Sequence, residues 1–157
     1  MKDQTRLLKT LFWSLAALPV AAGLAYAGAQ AGVLPFEYAG GTEKIEQDSA
    51  GILEVTTEAL VFRCTTGTLT MPFSTIAFME YRPDLSRRVR ELKLKWSVTP
   101  EPGGGKRNRY FTVVSKTKDA TRVVVLQVAP RSLRPYLAEI ELKSGKRVEV
   151  MEYGEYD

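Results

Sequence analysis

The feature that most constrains the fold is a succession of short runs, in the middle of the chain, in which apolar and polar residues alternate. Alternation with a period of two places successive side chains on opposite faces of an extended chain, so each run predicts a β-strand. The run at 91–98 is the most regular, with Leu92, Leu94 and Trp96 on the side expected to face a core. Seven strands are predicted in all, in the segments GILEVT, ALVFRC, GTLTMPF, STIAFMEY, ELKLKWSV, RYFTVVSK and TRVVVLQV.

After the last of these runs the period changes to that of a helix. Leu133, Leu137 and Ile140 recur at helical spacing, Ser132 can cap the helix start, and Gly145 can end the helix in a left-handed conformation. A short segment, KRVEV, then reads as one more brief strand. The sequence therefore predicts a mainly β fold with one C-terminal helix.

The N-terminal part of the chain is a long apolar segment without charge. Residues 10–36 carry no charged side chain, and three basic residues lie among the first nine. A basic start, an apolar stretch and the A-x-A matches at 25–27 and 29–31 are the parts of a secretory signal peptide. The same stretch just reaches the length of about 20 residues that a single-span anchor needs. Both alternatives place the rest of the chain outside the cytoplasm, either periplasmic or secreted, or anchored in the inner membrane by residues 10–31.

The remaining domain organisation follows from composition. The segment 32–50 contains Gly40-Gly41, mixed charge and no periodicity, which is typical of a linker. We therefore expect a signal peptide or anchor at 1–31, a linker at 32–50, a β domain at 51–150 and an acidic tail at 151–157.

The first strands carry a spacing of core and turn residues that resembles a known superfamily. The spacings are G-x-L-x-x-T-x-x-x-L-x-F and L-x-M-P-x-x-x-I, formed here by Gly51, Leu53, Thr56, Leu60, Phe62, Leu69, Met71, Pro72 and Ile76. On these residues the chain resembles exported bacterial proteins with a pleckstrin-homology-like (PH/GRAM-type) domain. The resemblance implies a seven-stranded antiparallel barrel or sandwich with a C-terminal helix, here preceded by an apolar N-terminal helix.

The same resemblance implies a binding scaffold rather than a catalyst. In lipid-binding eukaryotic members, basic residues in the first hairpin loop hold a phosphoinositide headgroup. Here that loop is Thr56-Thr57-Glu58 and has no basic residue, so this mode of binding is not expected.

Composition removes much catalytic and metal chemistry. The chain has no histidine, which is the commonest general base near neutral pH and the commonest metal ligand. Its single cysteine, Cys64, excludes an internal disulfide and is expected to be a buried thiol. The glycine-rich PGGGKR at 102–107 lacks the Ser or Thr of a phosphate-binding loop and reads as a hairpin turn. No catalytic residue, metal or cofactor is expected.

Charge is segregated along the chain. Residues 37–81 hold seven acidic and two basic side chains, whereas residues 82–134 hold fourteen basic and four acidic ones. If the strands at 91–98 and 109–116 formed a hairpin, the basic residues in and beside them would share one face. This predicted basic face consists of Arg87, Arg88, Arg90, Lys93, Lys95, Lys106, Arg107 and Arg109.

Two functional hypotheses follow. The first is an exported or membrane-anchored binding module whose basic face meets an anionic membrane surface or an acidic polymer or protein. The alternative is a small extracytoplasmic enzyme or enzyme inhibitor. Nucleic acid is not expected as a partner, because an export signal would direct the chain out of the cytoplasm, where nucleic acid is found. The segregated charge also has a structural interpretation, in which acidic and basic segments pack side by side and largely cancel.

Overall fold

The computed structural model of the chain describes residues 35–101 and 109–151. The predicted signal or anchor segment, the loop at 102–108 and the tail beyond residue 151 lie outside the described residues. The strands are β1 (Phe36–Gly41), β2 (Ala50–Val55), β3 (Ala59–Cys64), β4 (Gly67–Pro72), β5 (Ile76–Arg82), β6 (Arg109–Lys116), β7 (Thr121–Val128) and β8 (Val148–Val150). The helices are a single turn, α1 (Arg87–Arg90), and a longer helix, α2 (Pro130–Ser144), and a 3₁₀ turn at Phe73–Thr75 links β4 to β5.

The eight strands form one open mixed sheet in the order β4-β3-β2-β1-β7-β6-β5-β8. Neighbouring strands are antiparallel except for β5 and β8, which are parallel. The mainly β fold with a C-terminal helix is confirmed, but the prediction of a seven-stranded antiparallel barrel is wrong. The physical reason is the return of the chain through α2, which lets β8 add to the outer edge of β5 in the same direction.

Strand β1 is not predicted by the sequence pattern and lies in the segment interpreted as a linker. Five of its six residues are buried, so it shows no alternation. Its glycines serve close packing rather than flexibility. A side chain at Gly40 would meet the ring of Pro100 at 2.8 Å, and Gly41 has a φ of +149° that L-residues rarely adopt.

The segment at 91–98 is extended but is not a strand of the sheet, contrary to the prediction. Its backbone contacts with the sheet are an isolated bridge between Val98 and Gly41 and a hydrogen bond from the Ser97 amide to the Gly41 carbonyl. The predicted alternation is nevertheless present, since Leu92, Leu94 and Trp96 are half-buried and the lysines between them are exposed. The predicted hairpin between 91–98 and 109–116 is also wrong, because β6 pairs with β5 and β7.

Two hydrophobic cores lie on the two faces of the sheet. The larger one includes two residues of α2, Leu133 and Ile140, which are fully buried. The smaller one covers the other face of β1, β5, β6 and β7, where Val89 of α1 and the half-buried residues of 85–96 pack. The described residues of both cores lie between 36 and 148, and residues 33–157 form a compact unit, so we expect this unit to fold without residues 1–32.

The ends of α2 agree in part with the sequence. Gly145 ends the helix in the left-handed conformation, with a φ of +65°, as predicted. The start differs, because Ala129 is the N-cap and Pro130 occupies the first turn, so Ser132 lies inside the helix. Across residues 35–101 and 109–151, no helix is long and apolar enough to span a membrane.

Candidate binding surface

The predicted basic face begins with α1, whose orientation is set by its cap and its one buried side chain. The Ser86 hydroxyl accepts a hydrogen bond from the Val89 amide at 3.2 Å, and the Val89 side chain is fully buried in the smaller core. A single helical turn can bury only one of its sides, and here that side carries Val89. Arg87 and Arg90 are therefore exposed to solvent.

Arg88 is engaged in structural contacts on the same turn. Its guanidinium pairs with Glu149 at 3.1 Å and with Glu80 at 3.4 Å, and it lies 3.5 Å from the ring centroid of Phe78. Glu80 is 1% exposed and also accepts a hydrogen bond from the Ser86 amide at 3.3 Å. Arg88 therefore connects α1 to β5 and β8. Its positive charge is compensated by the two carboxylates rather than available to a ligand.

The other predicted residues separate into distinct groups. Arg87 pairs with Glu91 one turn later. Arg109 is 9% exposed, and its Nη1 donates to the carbonyl of Met151. It is therefore a largely buried residue with a structural contact, and it lies apart from the other described cations of the predicted face. The other two predicted members, Lys106 and Arg107, lie outside the described residues.

Three of the predicted cations share an exposed stretch and make no ion pair with any described residue. We call Arg90, Lys93 and Lys95 the cationic strip. The two lysines point to solvent because the side chains on either side of them, including Trp96, pack on the smaller core. The strip is thus an exposed positive edge on a segment held by packing.

A pocket of about 530 Å³ lies beside the cationic strip. The segment that forms its wall is fastened to the sheet, since Val98 exchanges backbone hydrogen bonds with Gly41 and the Tyr110 hydroxyl donates to the Glu101 carbonyl at 2.7 Å. Its walls combine apolar, polar and charged side chains, namely Leu85, Trp96, Pro100, Thr99, Arg90, Asp84 and Glu101. Apolar surface therefore adjoins the strip directly.

A second pocket, of about 540 Å³, lies between the first half of α2 and the strand ends nearby. This pocket was not predicted, because nothing in the sequence places α2 against β5 and β8. The Tyr81 hydroxyl, inside its wall, donates to the Val128 carbonyl at 2.9 Å. Burial raises the pKa of Tyr81 to about 12, against a smaller opposing effect of the Arg109 charge, so the phenol is neutral at ordinary pH.

The described residues offer no cluster of three His, Cys, Asp or Glu side chains that could hold a metal ion. Cys64 is half-buried rather than buried, and its thiol donates to the carbonyl of Gly67 at 3.3 Å. The Thr66 hydroxyl lies 3.4 Å from the same sulfur. The thiol is thus held in the turn between β3 and β4.

Comparison with protein-family models finds no match, and no curated protein matches the sequence.

Proposed function

We propose that this chain is a non-enzymatic binding module of PH-like architecture that acts outside the cytoplasm, and that its cationic strip contacts an anionic membrane surface. The carrying observation is that Arg90, Lys93 and Lys95 are exposed together without an ion pair to any described residue. The support for the architecture is the mainly β fold, in which a C-terminal helix follows the strands and buries Leu133 and Ile140 in the larger core.

The surroundings of the strip favour a membrane over an acidic polymer. Trp96 and Leu85 line the pocket that Arg90 also lines, so an indole and an aliphatic side chain adjoin one cation of the strip, in a pocket that Asp84 and Glu101 line as well. Tryptophan beside lysine and arginine is typical of surfaces at the level of lipid headgroups. A polyanion without an apolar part would use only the charges.

The expected strength follows from the number of cations. Each basic residue near an anionic bilayer contributes about 1 kcal/mol, so three contribute about 3 kcal/mol, or roughly a hundredfold in affinity. The effect is screened over about 10 Å at about 0.1 M salt. Binding should therefore be weak and sensitive to salt.

The test uses residues 33–157 and vesicles of phosphatidylcholine with or without phosphatidylglycerol. The triple variant Arg90→Gln, Lys93→Gln, Lys95→Gln removes the strip. Its matched control, Lys116→Gln, Lys118→Gln, Arg131→Gln, removes the same charge from three exposed cations elsewhere. Sedimentation with vesicles should show binding that requires phosphatidylglycerol, falls steeply with salt and decreases far more in the strip variant than in the control.

Equal loss in the two triple variants would show that only net charge matters and would refute the assignment to the strip. Absence of binding at low salt would refute the membrane proposal. Binding to dextran sulfate without binding to vesicles would identify an acidic polymer as the partner instead.

The extracytoplasmic location is tested separately, because it depends on the N-terminal segment. A reporter that is active only outside the cytoplasm, fused after Asp157, should be active. The intact mass of the recovered protein should then distinguish cleavage after Ala27 or Ala31 from an uncleaved anchor. An inactive fusion would contradict export.

A further inference from the structure

The pocket beneath α2 is built on regular elements at one end of the sheet. Arg109 starts β6, Tyr81 lies near the end of β5, and Val150 ends β8, where it pairs in register with Tyr81. The first half of α2 covers these strand ends. A volume of about 540 Å³ is of the size that small-molecule sites have.

Most of the pocket wall is apolar. It includes the ring of Tyr81, whose hydroxyl is already used by the Val128 carbonyl, and Leu133, which is fully buried. Val150 is 45% exposed although it is a large hydrophobic residue. Pro130 and Leu137 complete the apolar lining.

Two arginines supply the polar part of the wall. Arg134 is exposed on α2 and makes no ion pair with any described residue. Arg109 is held in place by its hydrogen bond to the Met151 carbonyl, and its guanidinium lies 5.8 Å from the Tyr81 ring centroid. Arg109 and Arg134 thus bring two guanidinium groups to a wall whose other described residues are mainly apolar.

We propose that this pocket binds an anionic amphiphile, a molecule with a carboxylate or phosphate group on an aliphatic chain. Guanidinium groups match both oxyanions in geometry and charge. The anionic group would contact Arg134, the exposed arginine of the wall, and the chain would lie between Leu133, Leu137 and Val150. The site uses none of the cationic strip, so it can be tested independently of membrane binding.

The test titrates residues 33–157 with decanoate below its micellar concentration, by calorimetry and by NMR shifts of the pocket residues. Decan-1-ol has the same chain without charge, acetate has the charge without the chain, and decyl phosphate tests the other oxyanion. Arg134→Gln removes one cation from the pocket. Arg131→Gln is its matched control, an exposed arginine on the same helix that does not line the pocket.

Decanoate should bind saturably, and Arg134→Gln should weaken this binding roughly tenfold or more, as expected for a lost charge-assisted hydrogen bond. Arg131→Gln should leave the affinity within about twofold, which is the limit that a screened surface charge allows. The tighter of decanoate and decyl phosphate identifies the oxyanion. The proposal is overturned if neither binds, if decan-1-ol binds as tightly as they do, or if the two arginine variants behave alike.

Discussion

The buried carboxylate of Glu80 gives the sharpest test of how the fold holds the segment that presents the cationic strip. Glu80 lies on β5, is 1% exposed and accepts hydrogen bonds from the Arg88 guanidinium at 3.4 Å and the Ser86 amide at 3.3 Å. Glu80→Gln keeps the size of the side chain and an acceptor for Ser86, but it removes the charge that pairs with Arg88.

The expected loss of stability depends on which interactions Arg88 and Ser86 keep after the substitution. Removing one partner of a fully buried ion pair costs about 3–5 kcal/mol, and a hydrogen bond to a charged group contributes about 1.5–3 kcal/mol. The Arg88 side chain is 45% exposed and keeps Glu149 at 3.1 Å, so its charge is not left isolated. We therefore expect Glu80→Gln to lower the free energy of unfolding by about 2 kcal/mol, and the melting temperature by about 8 °C in a domain of this size.

The assay is urea and thermal unfolding of residues 33–157, with hydrogen exchange of the α1 amides as a local readout. The matched control is Glu149→Gln, which removes the other carboxylate from the same Arg88. The Glu149 side chain is 60% exposed, so this loss should stay below about 1 kcal/mol. If the two variants lost equal stability, or if Glu80→Gln lost less than about 0.5 kcal/mol, the buried pair would not hold α1 as argued.

Two further predictions concern β1 and the residues that follow it. Gly41→Ala should cost about 3 kcal/mol or more in denaturant unfolding, because the new methyl would overlap the carbonyl of Val123. Gly145→Ala, also at positive φ but in open space, should cost only about 1 kcal/mol, and equal losses would contradict the steric argument. The hydrogen bond from Arg122 lowers the pKa of Glu43 below 4.5, so this carboxylate stabilises the fold above that pH, and the contribution is lost as pH falls through the folded-state pKa. Glu43→Gln should therefore be less stable at neutral pH and lose less further stability as the pH falls below 4.5, and an unchanged dependence of stability on acid pH would refute this.

Much of the secondary structure could be predicted from the sequence, because an element buried on one side has apolar residues at a regular spacing. The runs that became β2 to β7 alternate or are richly β-branched, and their predicted positions agree with the structure within a few residues. The spacing of Leu133, Leu137 and Ile140 predicted helix α2, and Gly145 predicted where the helix ends. In both cases the pattern is local, since it depends only on which side of an element faces apolar surroundings.

The candidate site was predictable only in part. The outward direction of Lys93 and Lys95 followed correctly from the alternation with their apolar neighbours. The sequence could not show that Arg88 would be taken up by Glu80 and Glu149, because Glu149 is 61 residues away along the chain. Nor could it show that Arg109 and Arg134 would line one pocket, since that depends on where α2 crosses the sheet.

The sequence by itself determined most of the extended segments, the longer helix, and which side of each faces the core. Only the tertiary structure decided which extended segments pair. The run at 91–98 alternates perfectly yet packs on the outside of the sheet, whereas β1 shows no alternation and lies in its centre. The physical reason is that alternation reports burial on one face, while strand pairing is decided by backbone hydrogen bonds to distant partners. A strand that is buried on both faces has no polar side, so its sequence shows no alternation.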